Sequence, residues 1–205
     1  MEKDLVIMNS DNILPLPILS LGYNIIQLQG IDNKQLSKDV IENKHNTEWP
    51  NYEETVLPDT VESKKLRNMI HDEITKINKY FKPYDWWAHI LEPGQSTLYH
   101  SHEKEGFRDG IAWVYYVTYP ENSGDMVLIV DALKKKLIYT IRPVVGNLVL
   151  FPTHVPHLVK RNVSTETRIS IAGNHYPDSE KIDEFSKEIY EGRSNYFYYV
   201  GHYNN

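Results

Sequence analysis

Apolar residues change their spacing near Trp86, with helical periodicity before it and strand alternation after it. Gly22 to Gln29 (GYNIIQLQ) alternates apolar and polar positions and predicts an opening strand. Asp32 and Asn33 then precede Leu36, Val40 and Ile41, the pattern of a capped amphipathic helix. His45 to Asp59, with Pro50, Pro58 and several acids, reads as a loop. Val61 to Phe81 places Leu66, Met69, Ile70, Ile74, Ile77, Tyr80 and Phe81 on one helical face, suited to covering a sheet. Seven strands are predicted after that: Trp86–Glu92, Ile111–Tyr119, Met126–Val130, Lys136–Arg142, Asn147–Phe151, His157–Arg161 and Thr167–Gly173. Turn residues separate them, among them Pro93-Gly94, Asn122-Ser123-Gly124 and Val145-Gly146. Short strands at this spacing make an antiparallel sandwich or barrel. A helix over Ser179 to Glu191 and an aromatic tail, Tyr196-Phe197-Tyr198-Tyr199, close the chain.

Composition narrows the function classes. At 205 residues the chain suits one domain, with 1–85 as helical support, 86–176 as the β core and 177–205 as closing helix and tail. A net charge of −6 argues against a protein that coats nucleic acid or an anionic membrane. The run Lys134-Lys135-Lys136 reads as a solvated hairpin turn. The absence of cysteine excludes disulfides, thiolate metal sites and cysteine nucleophiles. No apolar run reaches the ~20 residues of a membrane span, and the charged Met1–Leu5 start does not resemble a signal sequence, so the expected location is cytoplasmic. The 9 histidines direct the search toward a metal.

His100-Ser101-His102 is the sharpest local feature: residues two apart on a strand face the same way and can share one ion. The alternative is two surface histidines in a polar loop. A buried apolar strand launched at Gly146 stops at Phe151-Pro152, and the hairpin that follows carries His157 back over the sheet floor. His154 competes with His157 but sits between Pro152 and Pro156 in the loop tip, outside the expected ligand set. On Thr167 to Ala172, Arg168 and Ser170 alternate with apolar residues. If the apolar ones pack under the helices, the arginine is interior and needs an anion, because a lone buried charge is very costly. A carboxylate ligand fits its planar fork. The competing assignment pairs Arg168 with Glu166 or Glu184 on a solvated face.

Taken in order, Leu91-Glu92-Pro93-Gly94, His100-Ser101-His102, Trp113 to Val117, Ser123-Gly124, Gly146 to Pro152, His157 and Arg168-Ile169-Ser170-Ile171 resemble the 2-oxoglutarate- and iron(II)-dependent oxygenases, in particular their small bacterial and phage hydroxylase branch. The resemblance spans roughly Trp86 to Asn174. It implies a mainly β (α+β) fold, a double-stranded β-helix (jelly roll, cupin-like) flanked by N-terminal helices and a C-terminal helix. It further implies an enzyme that binds Fe(II) through His100 and His157 and holds the far carboxylate of 2-oxoglutarate with Arg168 and Ser170. His89 is an additional candidate for the co-substrate or, equally, a satisfied core histidine, and Tyr116 and Tyr99 are weaker candidates. O2 and a primary substrate complete the implied partners, with succinate and CO2 as co-products of hydroxylation. Many relatives carry H-x-D or H-x-E, whereas this chain has His102 at that place. His102 is the expected third ligand, with Glu103, Glu105 and Asp109 as carboxylate alternatives and a site for halide as another.

Two other readings stand beside this one. Gly94 with His100-x-His102 and Glu105, then Gly146, Pro152 and His157, also resembles the two cupin motifs, which would give a three-histidine dioxygenase, isomerase or binding module that does not use 2-oxoglutarate. Against it, Glu105 falls too close to His102, and a cupin has no need of Arg168. A non-enzymatic sandwich that docks a partner through its tyrosine-rich tail is the third. The substrate would be set by His45–Asp59, Glu103–Gly110 and the Tyr196–Tyr203 tail; a peptide or protein side chain is the leading expectation, a free amino acid or metabolite the other, and the oligomeric state is open.

Overall fold

The computed structural model describes residues 23–44, 53–103, 110–132 and 135–181. Asp32 opens α1 (Asn33–Glu42) by accepting the Gln35 backbone N–H, and Leu36 and Val40 are its buried face. Thr60 and Ser63 form a reciprocal capping box at the start of α2 (Val61–Ile77), whose Leu66, Ile70 and Ile74 point inward. The strands are β1 (Asn24–Gln27), β2 (Glu53–Val56), β3 (Phe81–Leu91), β4 (Ile111–Thr118), β5 (Met126–Ala132), β6 (Lys135–Ile141), β7 (Asn147–Pro152), β8 (His157–Val159) and β9 (Arg168–Pro177). A six-stranded antiparallel sheet runs β1-β7-β4-β9-β3-β2 and a three-stranded one β6-β5-β8. This is the double-stranded β-helix expected from the sequence.

Alternation sorts the large sheet into two faces. Ala88, Ile90, Trp113, Tyr115, Leu148, Ile169 and Ile171 join α1 and α2 in one core. Ala112, Tyr116, Val149 and Phe151, from the opposite face, pack on Met126, Leu128 and Val130 of the small sheet. The mouth between the sheets holds the site. Among the described residues, no helix is long and apolar enough to cross a membrane.

Several boundaries differ from the sequence expectation. Helix α2 stops at Ile77, and Phe81 already begins β3, four residues after it. Tyr80 and Phe81 extend the helical spacing, but Asn78 leaves helical geometry and Pro83 sits at a register shift in the β3–β9 ladder. The expected loop over His45–Asp59 contains β2, an edge strand joined to β3 by register pairs from Glu53↔Ile90 to Val56↔Trp87. Glu-Glu-Thr-Val shows no apolar alternation because its inward residue is Thr55, buried with its hydroxyl donating to Asn43 O at 3.2 Å, while Val56 is exposed. Strand β9 runs past Gly173 to Pro177, a continuation that matters for the site. The closing helix is described only as a 3-10 turn over Ser179–Lys181, and the rest of it, the aromatic tail, Lys134, Glu105 and Asp109 lie outside the described residues.

Candidate metal and co-substrate site

His100 and His102 follow β3 in an irregular segment rather than on a strand. Gly94 adopts φ 87°, a left-handed turn that few other residues tolerate, and its N–H donates to Asn162 O at 2.7 Å. The segment is then sewn to the far side of the mouth. His100 and His157 exchange backbone hydrogen bonds of 3.0 and 2.8 Å, and the His102 N–H donates to Thr153 O at 2.8 Å. His157 begins β8 in the small sheet, so it closes the mouth from the other side instead of lying over the floor of the large one. His154 remains in the turn between β7 and β8, outside the cluster that His100, His102 and His157 make.

One ring nitrogen from each of the three histidines lies within 4.8 Å of those of the other two. Backbone carbonyls orient two of the rings: Leu98 O accepts from His100 Nδ1 at 2.8 Å, and Val155 O from His157 Nδ1 at 3.1 Å. With the proton fixed on Nδ1, each Nε2 presents a lone pair. His102 Nε2 and His157 Nε2 stand 3.2 Å apart. Two nitrogens at right angles around one ion, each about 2.1 Å from it, would be about 3 Å apart, so a divalent cation fits between these two. Trp87 stacks on His102 with ring centroids at 5.4 Å, and Phe151 meets His157 edge-on at 4.8 Å. Burial, reinforced by the neighbouring His100, lowers His102 to a pKa of about 4 and His157 well below its ordinary value. Both rings are therefore neutral, the form that binds metal. Glu103 is exposed and lies outside the three-histidine cluster, beside His154.

Behind the histidines, Arg168, Ser170 and Asn174 line successive positions on the mouth-facing side of β9. Arg168 is 1% exposed, and its Nε and Nη1 are buried without a hydrogen-bond partner. The Tyr116 ring lies 5.3 Å from the guanidinium carbon. Burial opposes the charge on Arg168 and raises Tyr116 to a pKa of about 12, so Tyr116 stays a neutral phenol and does not neutralise the arginine. Neither Glu166 nor any other acid among the described residues forms a salt bridge with Arg168, so the solvated-face reading does not hold. An interior cation with open donors, sharing a cavity with three convergent Nε2 atoms, suits a carboxylate that also reaches the metal. His89 sits opposite Ser170 in the ladder, buried and lowered to a pKa of about 3 by that burial. The cavity encloses about 510 Å³ of atom-free space and opens to solvent. Tyr99 is exposed outside it.

Residues 85–174 match the family model described as "Putative 2OG-Fe(II) oxygenase". This stretch is similar to the 2-oxoglutarate- and iron(II)-dependent oxygenases. No curated protein matches the chain. Solved structures share the fold of the chain. A Trichoplax adhaerens prolyl hydroxylase in complex with a hypoxia inducible factor peptide fragment aligns with TM-score 0.63 and 17% identity, over 80% of this chain and 87% of that one. A Pseudomonas putida prolyl-4-hydroxylase gives 0.58 and 17%, over 77% and 93%. HygX from Streptomyces hygroscopicus, with nickel, 2-oxoglutarate and hygromycin B bound, gives 0.61 and 9%, over 78% and 84%. Oxygenases of this kind use 2-oxoglutarate and O2 with a primary substrate, and the cupin reading is not favoured.

Sequence reasoning missed Trp87, Phe151, Asp85 and Asn174 around the histidines. The signal for Asn174 was present: continuing the alternation Arg168, Ser170, Ala172 one step past Gly173 reaches it.

Proposed function

We propose that this oxygenase hydroxylates a peptide or protein side chain at the mouth between the two sheets, holding Fe(II) with His100, His102 and His157 and the far carboxylate of 2-oxoglutarate with Arg168 and Ser170. The observation that carries the reading is Arg168, a fully buried guanidinium whose Nε and Nη1 lack partners on the cavity wall it shares with the three histidines. The bound iron and co-substrate supply the oxidising chemistry: 2-oxoglutarate and O2 give succinate and CO2, and one oxygen atom is inserted into a substrate C–H bond.

The chain's own residues do the rest. His100 and His157 keep their Nε2 atoms aimed at the ion because backbone carbonyls occupy Nδ1. Arg168 fixes the co-substrate's outer end by a two-pronged contact, and Tyr116 and Met126 close the wall around it and exclude water. Three neutral histidines leave the ion's charge at +2, which the 2-oxoglutarate dianion balances. At the rim, Leu98 and Tyr99 are 56% and 52% exposed directly before His100. An apolar and aromatic rim on an open mouth suits an extended peptide, as in the T. adhaerens neighbour with its peptide fragment.

The test is an anaerobic optical titration of metal-free protein with iron(II), then 2-oxoglutarate. The visible absorption band of 2-oxoglutarate bound to iron(II) is expected, and it disappears in Arg168→Ala. Iron binding with no band would return the case to a cupin-like centre, and no iron binding would leave a non-enzymatic sandwich.

A further inference from the structure

His100 and His157 have backbone acceptors for their Nδ1 protons, and among the described residues His102 has none. Its Nε2 faces that of His157, so Nδ1 is the atom left to be oriented. An unused acceptor stands close by on Asn174. Its Nδ2 donates to Asp85 Oδ1 at 2.7 Å, which turns the amide oxygen away from Asp85. That oxygen is buried and has no hydrogen bond of normal geometry, yet the Asn174 side chain lies close enough to His102 to favour a proton on its ring. Burial raises the Asp85 pKa, and the Asn174 side chain that donates to it opposes the shift. The two residues are register partners across the β3–β9 ladder, directly after the irregularity at Pro83, which re-aims Asp85.

We infer that Asp85 and Asn174 form a positioning relay for His102, the Asn174 Oδ1 accepting the His102 Nδ1 proton and the Asp85 carboxylate locking the amide in that orientation. The relay makes all three histidines alike, each with an oxygen on Nδ1 and a lone pair on Nε2. It also places a carboxylate behind His102, the position at which relatives with H-x-D carry a carboxylate on the metal itself, one ring and one amide further out. Asp85 and Asn174 are positioning residues; they act through His102. The inference rests on His102 being a metal ligand, as proposed above.

Anaerobic iron(II) titrations of the full chain test it. Asn174→Ala is expected to weaken iron affinity by about 10- to 100-fold, the usual cost of removing a hydrogen-bond partner of a ligating histidine, and Asp85→Asn by about tenfold. The two losses should not add in the Asp85→Asn/Asn174→Ala double variant, because the residues act in series. The exchanged pair, Asp85→Asn with Asn174→Asp, keeps a donor, an acceptor and one negative charge and should recover affinity to within about threefold of the parent. In zinc-loaded protein with ¹⁵N-labelled histidine, a protected His102 Nδ1–H signal is expected in the parent and the exchanged pair, and lost in Asn174→Ala. Should Asn174→Ala fold poorly, the exchanged pair and the NMR signal carry the test. Iron affinity within twofold of the parent in both single variants, or a His102 proton on Nε2, would overturn the relay. Unchanged iron affinity in His102→Ala would instead overturn the ligand assignment on which it rests.

Discussion

Histidines gather on both faces of the large sheet, and adjacent residues of β9 serve the two groups: Asn174 faces the mouth and His175 faces α2. His175 stacks on His71 with centroids 5.6 Å apart, and its Nδ1 accepts the Trp113 indole N–H at 3.2 Å. The proton is thus on Nε2, reversed from His100 and His157. His71 Nδ1 and His175 Nε2 are buried without hydrogen bonds, and no third ligand among the described residues joins them. Burial depresses His175 to a pKa of about 3, as strongly as it depresses the rings in the mouth. Desolvation and a high local count of histidines are therefore common to both groups. What separates them is that backbone carbonyls turn two Nε2 lone pairs toward one point in the mouth, beside an open cavity and an interior cation, whereas Trp113 turns a lone pair of His175 into a core hydrogen bond.

The largest effect expected from breaking this contrast is at His157. His157→Ala should abolish iron binding in an anaerobic titration, and retained affinity would move the centre elsewhere. Next comes Arg168→Met. It should leave iron binding intact and weaken 2-oxoglutarate by about 100-fold or more, since two charge-assisted hydrogen bonds of about 1.5–3 kcal/mol each are lost. The same variant should raise the thermal unfolding midpoint of the co-substrate-free protein, because a buried cation without an anion is replaced by an apolar chain. Unchanged co-substrate affinity with a lowered midpoint would make Arg168 a structural residue.

Acid titration probes the pair behind the sheet. His175 is neutral in the fold down to about pH 3, whereas in the unfolded chain it takes up a proton near pH 6.5. Between those values the unfolded state binds more protons, so the stability of the fold falls as pH drops through this window and is unaffected by this group above it. The contribution is about 3–5 kcal/mol over the full window. His175→Phe should flatten that dependence in denaturant unfolding at pH 7 and pH 4.5; an unaltered slope would show that His175 titrates normally. The smallest effect is expected at His71→Leu, with iron and 2-oxoglutarate affinities within twofold of the parent. A tenfold loss there would couple the two faces.

The contrast also marks what could be read along the chain. The grouping of His100, His102 and His157 and the interior place of Arg168 were legible because polar residues interrupt an alternating apolar pattern in a fixed order. The start of α1 was legible because Asp32 satisfies a backbone N–H locally, and that of α2 because its apolar residues recur at helical spacing from Val61 onward. Strand β2 was not, since an edge strand takes its place by backbone pairing with β3 and leaves no mark in Glu-Glu-Thr-Val. The first residues of β3 were hidden because Tyr80 and Phe81 fit the preceding helical face equally well.

By itself, the sequence determined the order of the histidines and of Arg168 and Ser170 along the chain and which strand residues share a face, because period-two alternation and local capping are properties of neighbouring residues. Only the tertiary structure decided which histidines converge. Placing His102 Nε2 at 3.2 Å from His157 Nε2, and Asn174 beside Asp85, depends on strand register between segments more than 50 residues apart and on a turn at Gly94. Such distances are set by the packing of two sheets, which no local pattern encodes.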